Sequence, residues 1–392
     1  MNERIQMSGP MALLTTFLLL AGTAGPASAT DDLRESFDLQ VPQMPAVVTV
    51  EGKPRLVYEL HITNFSRDPL AVQRVDVLDS DGGTVAALEG DSLAGRLGRI
   101  DAAQQDDLLT VAQGVRRVLY VEIDLDGVPP KALMHRVAYA HGPERQVSAE
   151  VRGGRTSIRQ QTPPVLGPPL RGGPWVAIYG PSWERGHRRV IYTVDGRARI
   201  PGRFAVDWML ADDEGRLAPE GSQQVESAYG YGAEVLAVAD ALVVVARDGV
   251  PEAAAEPPRK RALTDAAGNY VVLRLDDEHH IFYEHLAPGS IRVAPGERVH
   301  KGQVIAAVGS TGSSRRAHLH FHVGDGESTL GAEGLPFTLE AFSLLGSYAD
   351  LDELGSQPWS PRDPSAGGAR RSRELPAPNV VLTFDDRIAP AQ

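Results

Sequence analysis

The chain reads as all-β, an N-terminal immunoglobulin-like sandwich followed by a second antiparallel β domain, on three observations. Gly 40 and Pro 29 in 392 residues favour many turns and short strands over long helices. Apolar residues alternate with polar ones in several short runs. Three histidines, His318, His320 and His322, stand at every second position in "AHLHFHVG", which in a strand puts all three on one face. A hydrophobic content of 42% supplies a core. The net charge of -12 argues against a nucleic-acid surface. Cys 0 excludes disulfides, so any transition metal must be held by His and carboxylates.

Residues 1–29 read as a signal peptide: Arg4, the apolar run "MALLTTFLLLAG" and the small-residue site Ala27-Ser28-Ala29. The run is too short to span a bilayer unaided, and no later stretch is apolar enough to cross one. A periplasmic or secreted protein with no stable membrane span after cleavage is expected.

Residues 30–155 hold the strands of the sandwich. "LVYELHIT" places Leu56, Tyr58, Leu60 and Ile62 on one face. "AVQRVDVLDSDGG" ends in an Asp-Gly turn, and "GVRRVLYVEIDLDG" alternates at Leu119, Val121, Ile123 and Leu125. "HRVAYAHG" is a further strand. The spacing suggests an immunoglobulin-like order. Residues 156–174, with "QQTPPVLGPPLRGGP", read as a semi-rigid linker. Residues 175–348 form the second β domain, and 349–392 a mobile tail whose "NVVLTF" could add a short strand.

Eight of the 11 histidines lie between His187 and His322. The ordered set "YGAEVLAVADALVVV", "GNYVVL", "YEHL", "PGERVHKGQVIAAVGSTG" and "HLHFH" resembles the lysostaphin-like (LytM-type) zinc metallopeptidases, peptidoglycan endopeptidases, over roughly 203–323. The resemblance implies a compact antiparallel sheet with an open groove and a bound Zn2+. It implies His320 and Asp207 as zinc ligands, and His285 and His318 as catalytic histidines. The family's remaining ligand falls on Arg203, which stays protonated and cannot bind zinc.

Two residues could take that place. "GHRRVIYTVDGRARIPGRFAVDW" reads as a hairpin around Asp195-Gly196, in which facing residues sum to 391 and His187 lies opposite Phe204. A strict ladder sets His187 on the wrong face, and Pro201-Gly202 offers a bend that resets it. The resemblance extends to members with an upstream His before a similar "RFAVDW". His322, on the face of His320, is the other candidate. Glu284 neighbours His285 but reads as pointing to the opposite face, while His279, His280 and His300 read as surface.

The expected function is a secreted zinc metalloendopeptidase acting on peptidoglycan cross-links, with other cell-wall hydrolases or divisome-type proteins as possible partners and no nucleic acid. The alternative is a catalytically inactive scaffold or activator of such hydrolases, which Arg203 would favour.

Overall fold

A computed structural model describes residues 35–100, 107–181, 183, 186–252, 262–363, 365 and 368–385. The signal-peptide segment lies outside them. No helix among the described residues is long and apolar enough to cross a membrane.

The N-terminal region is built from two antiparallel five-stranded sheets. One runs Phe37–Gln40, Lys53–Asn64, Arg116–Asp124, Leu97–Arg99, with Ala46–Val50 also paired to Lys53–Asn64. The other runs Val147–Ser157, Ala132–His141, Leu70–Asp79, Thr84–Glu89, with Thr110–Val111 on Leu70–Asp79. The alternation expected in "LVYELHIT" decides the packing. Leu56, Tyr58, Leu60 and Ile62 share a core with Val75, Val77, Val137 and Tyr139 of the second sheet. The pairing establishes a two-sheet region; the finer immunoglobulin-like order stays an expectation.

The opposite face of Lys53–Asn64 is also buried. Val57 joins Ala46, Val48 and Val50 in the large core of the C-terminal region, beside Phe204, Val206 and Leu375. Sandwich and C-terminal sheet therefore share apolar surface, which ties them far more firmly than a flexible linker would. The expected linker is part of this arrangement. Val165–Leu166 pairs in parallel with Thr338–Leu339, and Leu166 and Leu170 are buried. Its prolines interrupt regular pairing, yet its leucines remove apolar area from water, so the segment packs as core and does not act as a spacer.

The C-terminal region is organised by a 12-stranded sheet. Its central order is Asn269–Arg274, His280–Leu286, Leu319–Gly324, Val206–Leu210, Gly172–Ile178, Val380–Phe384, Phe342–Ser347. Among the described residues of the segment 349–392, read as a mobile tail, the short strand expected at "NVVLTF" forms. Val380–Phe384 is an interior strand between Gly172–Ile178 and Phe342–Ser347, with Val381, Leu382 and Phe384 buried. The low-complexity stretch before it conceals a short apolar run that alternates into two layers. His280, expected at the surface, is buried opposite Gly324.

The hairpin at Asp195-Gly196 forms in the expected register: Tyr192 faces Arg199, Thr193 faces Ala198 and Val194 faces Arg197. It stops there. His187–Arg189 and Pro201–Phe204 are single 3-10 turns, so His187 does not reach Phe204 through a ladder. Proline lacks the donor a ladder needs, and the chain bends. The two turns instead stack closely. A Cβ on Gly202 would lie 2.8 Å from the His187 Cα, so only glycine fits there.

Candidate metal and catalytic site

Three adjacent strands place three side chains in one row. Asp207 faces His320 across one strand pair, and His320 faces Glu284 across the next. Directly opposed residues share a sheet face. Asp207 Oδ1 lies 2.7 Å from His320 Nδ1. The His187 turn closes over the row, with His187 Nε2 3.1 Å from Asp207 Oδ2. His187 takes a φ of 40°, in the left-handed region that side chains rarely adopt, following Gly186. Donor atoms of His187, Asp207 and His320 lie within 4.8 Å of one another, and all three residues remain partly exposed.

The resemblance pointed to His285 and His318 as well, and the structure brings both to the same place. His318 Nε2 lies 3.6 Å from Asp207 Oδ1. The ring centroids of His285 and His318 are 4.7 Å apart, and those of His285 and His320 5.8 Å. His285 follows Glu284, so regular alternation would send one of them away. His285 has φ 64°, and the pairing with Asn269–Arg274 slips beside it. This bulge turns His285 toward the row without displacing Glu284. Strained backbone of this kind persists only where the surroundings enforce it. Here the His285 amide donates to the Ala267 carbonyl at 3.0 Å.

Two carbonyls fix the ring protons. His285 Nδ1 is 2.9 Å from the Thr311 carbonyl, and His318 Nδ1 is 2.8 Å from the Arg316 carbonyl. A carbonyl only accepts, so Nδ1 carries a proton in both rings, and the neutral form of each keeps its lone pair on Nε2. Burial, reinforced by the neighbouring His318 and His320, pushes His285 well below the usual imidazole range. Burial likewise lowers His320, with Asp207 opposing the effect. A neutral imidazole is the form that binds metal. Burial works against the Asp207 carboxylate, but His187, His318 and His320 outweigh it and hold the group well below its usual range.

Glu284 is the residue that sequence reasoning turned the wrong way. It is buried, and burial together with the Asp207 charge pushes its carboxyl up to about 8. Its Oε1 has no hydrogen-bond partner among the described residues. Glu284, His320 and His322 form a second close group of potential ligands. His322 is fully buried, its ring stacked on Phe282 at 4.3 Å, and it is not part of the group that contains Asp207. The third corner beside Asp207 and His320 is occupied by His187.

Arg203 points elsewhere. Its Nε lies 2.9 Å from Glu59 and a terminal nitrogen 2.9 Å from Glu333. Two imidazoles and one carboxylate suit zinc and leave a coordination place open for solvent or substrate. The residues present therefore fit the ion.

Residues 221–330 match peptidase family M23. The match contains His285, His318 and His320 and begins after Asp207, and the lysostaphin-like resemblance holds on it. Among solved structures, the chain is similar to a catalytic-domain mutant of the prophage-encoded M23 protein EnpA from Enterococcus faecalis. The identity is 17%, covering 44% of this chain and 92% of that one, with a TM-score of 0.25. The catalytic domain of the antimicrobial peptidase lysostaphin from Staphylococcus simulans is 20% identical, covering 42% and 88%, with a TM-score of 0.24. A zinc-containing peptidase from Vibrio cholerae is 18% identical, covering 75% and 83%, with a TM-score of 0.23. Likeness at this level adds nothing to the site, which stands on its own geometry and on the matched segment.

Proposed function

We propose that this chain, with its peptidase family M23 segment, is a zinc metalloendopeptidase that hydrolyses peptide cross-links of bacterial peptidoglycan outside the cytoplasm. The observation that carries the reading is the convergence of His187 Nε2, Asp207 and His320 Nδ1 beside two further histidines. The first three would hold the ion. A bound zinc supplies positive charge that polarises a peptide carbonyl and acidifies water.

The chain's own groups do the rest. His318 presents Nε2 toward Asp207, where it can accept a proton from the attacking water and return it to the leaving amine. His285, with Nδ1 committed to Thr311, keeps an acceptor lone pair on its other nitrogen, which can orient the attacking water and share in taking its proton. Glu284 lies beneath His320, where a carboxyl can orient that ring. Arg203, whose presence at a ligand position would favour an inactive scaffold, is engaged with Glu59 and Glu333 while His187 stands in its stead.

Purified protein is expected to carry about one zinc and to release uncross-linked muropeptides from isolated sacculi. Zinc-loaded protein that leaves sacculi unchanged, but raises the activity of an added hydrolase, would replace this reading with the activator.

A further inference from the structure

His187 precedes Arg188, whose side chain is 4% exposed. The Arg188 guanidinium is spent entirely on the sandwich. Nε donates to Glu59 at 2.7 Å and one terminal nitrogen to Glu122 at 2.8 Å. The other donates to the Tyr58 carbonyl at 2.6 Å and the Val121 carbonyl at 3.1 Å. Arg189 follows with a hydrogen bond to the Gly95 carbonyl at 2.9 Å. Glu59 uses both of its oxygens: Oε1 accepts from Arg188, and Oε2 accepts from Arg203 at 2.9 Å. Arg203 lies in the turn that leads into the Asp207 strand. One buried carboxylate therefore ties together the two turns that deliver His187 and Asp207.

We infer that Glu59 of the N-terminal sandwich is a positioning residue for the metal site, acting through Arg188 and Arg203, so that sandwich docking and zinc binding are coupled. The inference rests on the proposed zinc role of His187. No ladder reaches the turn, which is a single 3-10 turn whose first residue has positive φ. Besides its packing on Gly202, it is held over Asp207 by charge-assisted bonds into the other domain. Linkage makes the effect reciprocal, since whatever orders the turn favours zinc, and zinc favours the docked arrangement. On this account the sandwich completes the site, and its buried polar strand face is built for that task.

The test compares Glu59→Gln and Arg188→Lys with Asp76→Asn, which breaks a buried ion pair on the sandwich's other sheet, with Arg74 and Arg136. Zinc affinity is measured by chelator competition, and hydrogen exchange over 186–192 is measured on zinc-free protein. Both clamp variants are expected to lose about 10–100-fold in zinc affinity, the range for outer partners of metal ligands. They are also expected to exchange faster in the turn, and excess zinc should restore their activity. Asp76→Asn should leave affinity and exchange at wild-type values. Wild-type values in Glu59→Gln and Arg188→Lys would overturn the coupling, as would an equal affinity loss in Asp76→Asn. Wild-type protein that takes up no zinc would remove the zinc reading and the coupling with it; the exchange data would then decide alone whether the sandwich holds the turn.

Discussion

The strand row and the His187 turn supply ligands to one site by different physical means. Asp207, His320 and Glu284 stand opposite one another because β pairing puts them there, and their spacing is fixed by ladders on both sides. His187 sits in a short turn with no ladder, held by a glycine beneath it and by arginines that reach into the sandwich. The first half of the site belongs to the sheet. The second half depends on a contact between regions more than a hundred residues apart in sequence. A site divided in this way can keep an intact sheet while losing a ligand.

Breaking the strand side should have the largest effect. His320→Ala is expected to abolish zinc binding and muropeptide release together, measured by metal analysis and digestion of sacculi, while the fold survives. His187→Ala should reduce zinc affinity by more than the ~100-fold expected for an outer partner, because it removes a direct ligand. Retention of full zinc and activity in this variant would exclude the turn from the site and return attention to His322. His285→Ala sharpens the contrast between holding the ion and using it. Zinc should remain, and kcat should fall by ~10²–10⁴-fold, the usual contribution of a proton-transferring group.

Smaller effects test the clamp. Burial alone would raise the Glu59 carboxyl, but Arg203 and Arg188 outweigh it and hold the group below its usual range. A carboxylate depressed in the folded state stabilises fully above its unfolded value and loses that stabilisation as pH falls through the folded one. Wild type should therefore exceed Glu59→Gln in Tm at pH 7, and the gap should narrow as the pH is taken below ~4.3, the unfolded value of a glutamate. A gap independent of pH would show that the charge of Glu59 is not what matters. Gly202→Ala should cost about 1–3 kcal/mol through overpacking against the His187 backbone, read by chemical denaturation.

Much of the strand side was legible in the sequence, because period-two alternation reports directly on sheet faces. Alternation put the "HLHFH" histidines on one face and the Asp195-Gly196 turn gave the hairpin register, while the family resemblance singled out His320 and Asp207 as ligands. The turn side was legible only in outline. The hairpin suggested that His187 returns near Asp207, but the stacked 3-10 turns that bring it there follow from Pro201 and from the close approach at Gly202, which no periodicity records. Glu284 was misplaced for a related reason: the positive φ at His285 breaks the alternation on which the reading relied. The clamp left a trace. Glu59 shares the Val57 face of its strand with the buried polar residues His61 and Thr63, but its partners Arg188 and Arg203 are 129 and 144 residues away. Nothing local in the composition shows that the segment 380–384 enters the sheet between two distant strands.

The central claim, that the turn and the strand row share one ion, is tested most directly by the anomalous scattering of zinc in crystals of the loaded protein. The account predicts one peak within about 2.0–2.2 Å of His187 Nε2, His320 Nδ1 and an Asp207 oxygen, the normal range for zinc with nitrogen and oxygen ligands. A peak between Glu284 and His322, with His187 left unbound, would contradict it.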